Sequence, residues 1–149
     1  MSNVSNDLIW LVIRDNNKFI VKRKTETQPF SRDPYALTNK NNAKHSGLAN
    51  TRAVGLQPGK NGKGVTLLTK GKAESANSPK KSQITATLRS SSAKGISENV
   101  YGATIKKAYR VDTRYEQLGR ASAIIKSQQP KKDAPAKKVR GAKAVAASA

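Results

Sequence analysis

The sequence predicts an α+β fold, with a small antiparallel sheet from two N-terminal hairpins packed with C-terminal helices and a basic extended loop and tail outside it. Three observations carry that expectation. Short apolar runs bounded by turn residues lie in the first half, a helix-start signal with helical periodicity lies at residues 113–128, and the stretches between are rich in Asn, Ser, Lys and Gly.

The first run, "LIWLVI" at 8–13, is apolar at odd and even positions alike, as in a doubly covered strand. "RDNNK" supplies a turn, and "KFIVKR" reads as a second, half-exposed basic strand. Residues 25–50 hold two prolines, many asparagines and no apolar period, which predicts a long loop. A second hairpin follows, with strands at 53–57 and 65–69 about a turn containing Pro58, Gly59, Asn61 and Gly62.

Residues 71–95 are dominated by Ser, Lys, Ala and Gly and predict a second long loop or arm. Ser97 is expected to cap a helix through "ENVYGATIKKAY", where Tyr101, Ile105, Ala108 and Tyr109 share a face and Gly102 is unfavourable. Thr113 and Glu116 have capping-box spacing, and Tyr115, Leu118, Ala121, Ser122 and Ile125 form one stripe, predicting a helix over 114–128 that ends before Pro130. Beyond it, six basic residues and one acidic residue among alanines predict a disordered tail at 131–149. The expected organisation is one domain over 1–130 and that tail.

Charge is the dominant compositional fact. Lys and Arg number 29 against 9 Asp and Glu in 149 residues, a formal net charge of +20. Self-repulsion of this size disfavours the compact free chain, and a polyanion relieves it. Nucleic acid supplies counter-charge most densely, and binding it releases condensed cations. No apolar run reaches the roughly 18 residues of a membrane span and no secretory signal opens the chain, so a soluble, intracellular protein is expected. The absence of cysteine removes disulfides, thiol nucleophiles and Cys-based zinc sites.

Catalytic signals are weak. His45 is the single histidine and has no carboxylate near it in sequence, so it reads as a solvated or RNA-facing side chain and not as a general base. No catalytic residue, metal ligand, cofactor or small-molecule substrate is assigned. "GKNGKG", Gly59 to Gly64, lacks the terminal Lys-Ser/Thr of a P-loop and precedes a strand. Its Gly59-x-x-Gly62 resembles the nucleotide clamp of KH domains, but that clamp joins helices, so a hairpin turn is the plainer reading. Trp10, Tyr101, Tyr109 and Tyr115 fall in periodic segments and are assigned to packing, leaving Phe30 and Tyr35 as candidates for base stacking.

The cations outnumber any carboxylates that could pair them, so phosphate contact is the better account of them. The candidates are Lys22, Arg23 and Lys24 at the end of the first hairpin, and Lys40, Asn42, Lys44, His45 and Arg52 in and after the first loop. Lys60 and Lys63 lie in the second turn, and Lys80 and Lys81 in the second loop. Lys106, Lys107, Arg110, Arg114, Arg120 and Lys126 belong to the helical half, and Lys131 and Lys132 open the tail. Asn39, Asn41 and Asn42 offer amides to bases or 2′-hydroxyls.

"LIWLVIRDNNKFIVKR", "ALTNKNNAKHSGLANTRAVGLQP", "GKGVTLL" and "RYEQLGRASAIIKSQQP" resemble, in sequence and order, the twenty-eighth family of eukaryotic large-subunit ribosomal proteins. The resemblance spans residues 7–130, and its most specific parts are "GRASAIIKSQQP" and the spacing of Asn42, Gly47, Leu48, Arg52, Val54 and Gly55. It implies a non-enzymatic protein on large-subunit ribosomal RNA near the outer surface of the particle, with neighbouring large-subunit proteins as partners and no membrane. It also implies a cytosolic ribosome assembled in the nucleolus, and a sheet from the N-terminal half with helices from the C-terminal half. Residues 71–95 and the tail depart from the family pattern.

The mechanism expected is a rigid body with basic extensions that order on RNA. Two rivals remain: a chromatin-condensing protein, to which the Lys/Ala/Pro tail is similar, and a basic RNA-processing enzyme.

Overall fold

The computed structural model describes residues 4–71, 78–131 and 133, the side chains of 79 and 80 excepted. The expectations for 72–77, for Lys132 and for the tail from 134 lie outside these residues. Two antiparallel sheets, one of two strands and one of three, combine with helices into the expected α+β class.

The first apolar run is a helix and not a strand: α1 spans Asn6–Ile13. An apolar run without a period fits either element, and local chemistry decides this one. Ser5 Oγ accepts from Leu8 N at 3.2 Å, Asp7 sits in the first turn, and Asn17 Nδ2 donates to Ile13 O at 3.1 Å at the other end. No residue of α1 is buried, and Val4, Leu8, Leu11 and Val12 are exposed.

The predicted first hairpin is therefore replaced by another pairing. β1, Ile20–Val21, pairs antiparallel with β2, Phe30–Ser31, inside what was expected to be structureless loop. The rest of that loop is knit by its own polar side chains. Asn41 Nδ2 donates to Arg14 O at 2.7 Å, and Asn50 Nδ2 donates to Ala43 O and Ser46 O at 2.6 and 2.9 Å. Asp33 accepts from Tyr35 N and Gly47 N at 2.9 and 2.8 Å. Of the asparagines expected to offer amides to RNA, Asn41 and Asn42 thus replace secondary structure as partners for the backbone.

The second hairpin forms where expected, as β3, Val54–Pro58, and β4, Val65–Lys70, with Leu56 opposite Leu67. Gly55 and Gly47, both in the family-like spacing, are glycines for a steric reason. A Cβ on Gly55 would lie 2.2 Å from Pro34 O, and one on Gly47 would lie 2.2 Å from Tyr35 Cδ2, so the 33–35 backbone and ring lie flat against them.

Residues 71–95 are not simply loop. After a single helical turn, α2 at Pro79–Ser82, β5 at Gln83–Leu88 adds a third strand to β4, with Leu67 opposite Ala86. α3 spans Ala93–Ala103 and starts earlier than expected. Its cap is Ser92, whose Oγ accepts from Gly95 N at 3.0 Å, while Ser97 lies within the helix and donates to Ala93 O at 2.8 Å.

α4 spans Arg114–Gln128 as predicted, but the capping box is not made. Thr113 Oγ1 donates to Arg110 O at 3.0 Å and accepts from Gln117 Nε2 at 2.7 Å. The buried stripe is Gln117, Ala121 and Ile125, whereas Tyr115 is exposed. Among the described residues, the core gathers Leu37, Val54, Leu56, Val65 and Leu67 on one side and Ile96, Val100, Ala121 and Ile125 from α3 and α4 on the other. Apolar burial between sheet and helix pair is the main stabilising term.

Candidate nucleic-acid interface

Several predicted contact residues hold the loop to the body. Lys44 Nζ lies 2.6 Å from Glu116 Oε1 on α4, across 72 residues of sequence. Asn42 Oδ1 accepts from Lys44 N at 3.2 Å and caps the 3-10 turn Ala43–His45. Arg110 Nη2 donates to Lys44 O and pairs with Asp112 Oδ2 at 3.2 Å. The same cluster contains His45, which is buried and not solvated. Burial holds its pKa below the usual 6.5 against the opposing pull of Glu116, with Lys44 and Arg110 adding to the depression. Donation from Lys44 holds the Glu116 carboxyl below its ordinary value.

Arg120 is a second tether. Its Nε donates to Leu56 O at 2.8 Å, and its Nη1 donates to Leu37 O and Asn39 Oδ1, each at 2.9 Å. Among the described residues the outer edge of β3 has no strand beside it, so a guanidinium on this carbonyl closes a place where another chain could pair. Asn39 reaches Arg120 from a left-handed backbone, φ 57°, which asparagine tolerates. Lys70, absent from the sequence candidates, donates from Nζ to Gly47 O and Asn50 O at 2.8 and 2.7 Å.

The other candidates point outward. Lys22, Arg23 and Lys24 are exposed beside β1, with Arg23 5.7 Å from the Phe30 ring centre. Lys40 is exposed, and Arg52 lies 5.8 Å from the Tyr109 ring. Lys81 is exposed after α2, while the Lys80 side chain lies outside the described atoms. Lys106 and Lys107 are exposed on a 3-10 turn, Arg114 stacks on Tyr115, and Lys126 and Lys131 follow along and past α4. Phe30 and Tyr35 are both half-buried, Phe30 in β2 and Tyr35 against Gly47.

Lys60 and Lys63, at the β3–β4 turn, border a concavity of about 1060 Å³ that also takes in β5 and the end of α4. Arg89 lines it and was missed in the sequence because its segment reads as loop. The period-two order of "QITATL" was the available signal.

Among the described residues four ion pairs form, engaging Arg14, Lys44, Lys94 and Arg110. None of the remaining described cations forms an ion pair with a described carboxylate. No group of three or more His, Asp or Glu that could hold a metal occurs among the described residues, and no described helix is long and apolar enough to cross a membrane.

Residues 8–127 match the model of the ribosomal L28e protein family. The chain is 40% identical over 131 residues to large ribosomal subunit protein eL28 of Schizosaccharomyces pombe, covering 87% of this chain and 97% of the relative. It is 30% identical over 128 residues to the protein of that name in Caenorhabditis elegans, covering 86% and 94%. With that of Dictyostelium discoideum it shares 28% over 137 residues, covering 92% and 98%.

Proposed function

The chain belongs to the ribosomal L28e protein family, and from that premise we propose that it is a structural, non-enzymatic constituent of the large subunit of the cytosolic ribosome, binding large-subunit ribosomal RNA through phosphate contacts and supporting translation. The observation that carries the RNA contact is the excess of 29 cations over 9 anions, with the described cations largely turned outward and unpaired. The sheet, α3 and α4 provide the body, and the internally bonded 25–50 segment belongs to that body as well. Residues 1–130 act as one RNA-binding domain in this reading, with Lys132 and the tail adding charge. Assembly begins in the nucleolus.

Neighbouring large-subunit proteins are the second class of partner. α1 supports this: its exposed face is apolar, Asp7 is its only charge, and no Lys or Arg precedes Arg14. Such a face does not suit phosphate and adds no positive charge to repel another basic protein.

Sedimentation of the tagged protein from lysate through a sucrose gradient tests the assignment. Co-migration with large subunits, whole ribosomes and polysomes, reversed by high salt, is expected. Confinement to light fractions or to chromatin would reject it.

A further inference from the structure

The three-stranded sheet creates a concavity that the charge argument does not require. β5 pairs with β4 so that Thr87 lies opposite Thr66, and Thr85 stands two residues away on the same face of β5. With Ser90 and Ser91 just beyond the strand, these give the lining five hydroxyl-bearing residues. Cations stand at its rim: Lys60 and Lys63 on the hairpin turn, and Arg89 after β5.

The end of α4 also contributes to the lining. Gln128 Nε2 donates to Gly64 O at 2.8 Å, which fixes the helix end against the hairpin turn, and Gln129 follows it into the lining with Asn61 across from them. Ile125 and Pro130 supply the apolar part of the lining. Among the described residues, no carboxylate and no aromatic ring lines the concavity.

That composition selects a ligand chemistry. Lys and Arg without nearby carboxylates favour phosphate, hydroxyls and amides pair with ribose oxygens, and the absence of rings removes the usual means of stacking bases. We infer that this concavity seats the ribose–phosphate backbone of a single RNA strand, with phosphates on Lys60, Lys63 and Arg89 and 2′-hydroxyls on the lining threonines. The inference rests on the RNA-binding reading above and adds where a strand lies and why ribose is distinguished from deoxyribose. Thr85 and Thr87 are exposed on the face of a strand that tolerates valine, so their hydroxyls can be removed while the fold is kept.

The test uses the full chain and three probes: a 12-nucleotide uridine oligomer, its deoxy counterpart, and an RNA duplex of equal length. The double variant Thr85→Val with Thr87→Val is expected to weaken binding of the RNA oligomer about fivefold, while changing the deoxy oligomer little. Arg89→Ala is expected to weaken both single strands and reduce the log–log salt slope by about 0.7, more than Lys94→Ala outside the concavity does. If wild-type chain binds the RNA oligomer with steep salt dependence but neither groove variant differs from Lys94→Ala, the site is wrong and the RNA reading stands. Equal losses for RNA and DNA in the threonine variant, or preference for the duplex, would also overturn the site. Absence of binding by the wild-type chain even in dilute buffer would remove the RNA reading itself, and this site with it.

Discussion

Lys44 Nζ lies 2.6 Å from Glu116 Oε1, tying the 25–50 segment to the first turn of α4. Glu116 occupies the capping-box position, yet its carboxylate serves this tertiary contact, in a site where the glutamate side chain is 26% and the lysine 38% exposed. Partial screening limits the pair's worth. A double-mutant cycle of Lys44→Met and Glu116→Gln, read by urea denaturation, should give a coupling energy of about 1 kcal/mol.

Gln117 is fully buried and satisfied on both ends of its amide. Its Oε1 lies 2.7 Å from Thr104 Oγ1, and its Nε2 donates to Thr113 Oγ1 and Arg110 O at 2.7 and 3.1 Å. Gln117→Leu adds apolar volume but removes all three bonds, leaving Thr104 Oγ1 only its bond to Val100 O and Thr113 Oγ1 only its bond to Arg110 O. It should lower stability by about 2–3 kcal/mol in urea denaturation, and an unchanged midpoint would show that the network does not stabilise the α3–α4 contact.

Acidification should weaken the fold in two steps. His45 titrates below 6.5 in the folded chain because it is buried, so between that lowered value and 6.5 the unfolded chain holds more protons. Stability therefore falls as pH drops through this window. Glu116, held below its ordinary 4.5, contributes stability that is complete above 4.5 and is lost as pH falls through its folded value. Melting temperature measured from pH 7.5 to 4 should decline accordingly, and His45→Gln should flatten the upper step.

Leu11, 59% exposed on α1, contributes little to the isolated fold. Leu11→Ser should shift the stability of the purified chain by less than about 0.5 kcal/mol while reducing its retention in large subunits during gradient sedimentation. Unchanged retention would remove α1 as a protein contact.

The β3–β4 hairpin and α4 were legible because their signals are local: a Gly- and Asn-bearing turn between apolar runs, and helical periodicity ending at Pro130. α1 was misread because "LIWLVI" has no period, leaving Ser5 and Asn17 to decide the element through side-chain bonds. β5 was hidden by its Ser- and Lys-rich surroundings, although Thr85 and Thr87 alternate with apolar neighbours. Among the candidate site residues, exposure of Lys22, Lys24, Lys60 and Lys63 followed from composition. The internal roles of Lys44, Arg110 and Arg120 did not, since their partners on other segments, such as Glu116 for Lys44 and Leu56 for Arg120, lie far away in sequence, and the burial of His45 depends on the same cluster.

The central claim is that ribose–phosphate strands supply the counter-charge this chain lacks, and titration of the full chain onto a folded fragment of large-subunit ribosomal RNA over a range of salt tests it most directly. The account predicts tight binding in dilute buffer and a log–log slope steeper than about −4, as simultaneous contact with several phosphates requires. A slope near zero, or no binding at the lowest salt, would contradict it.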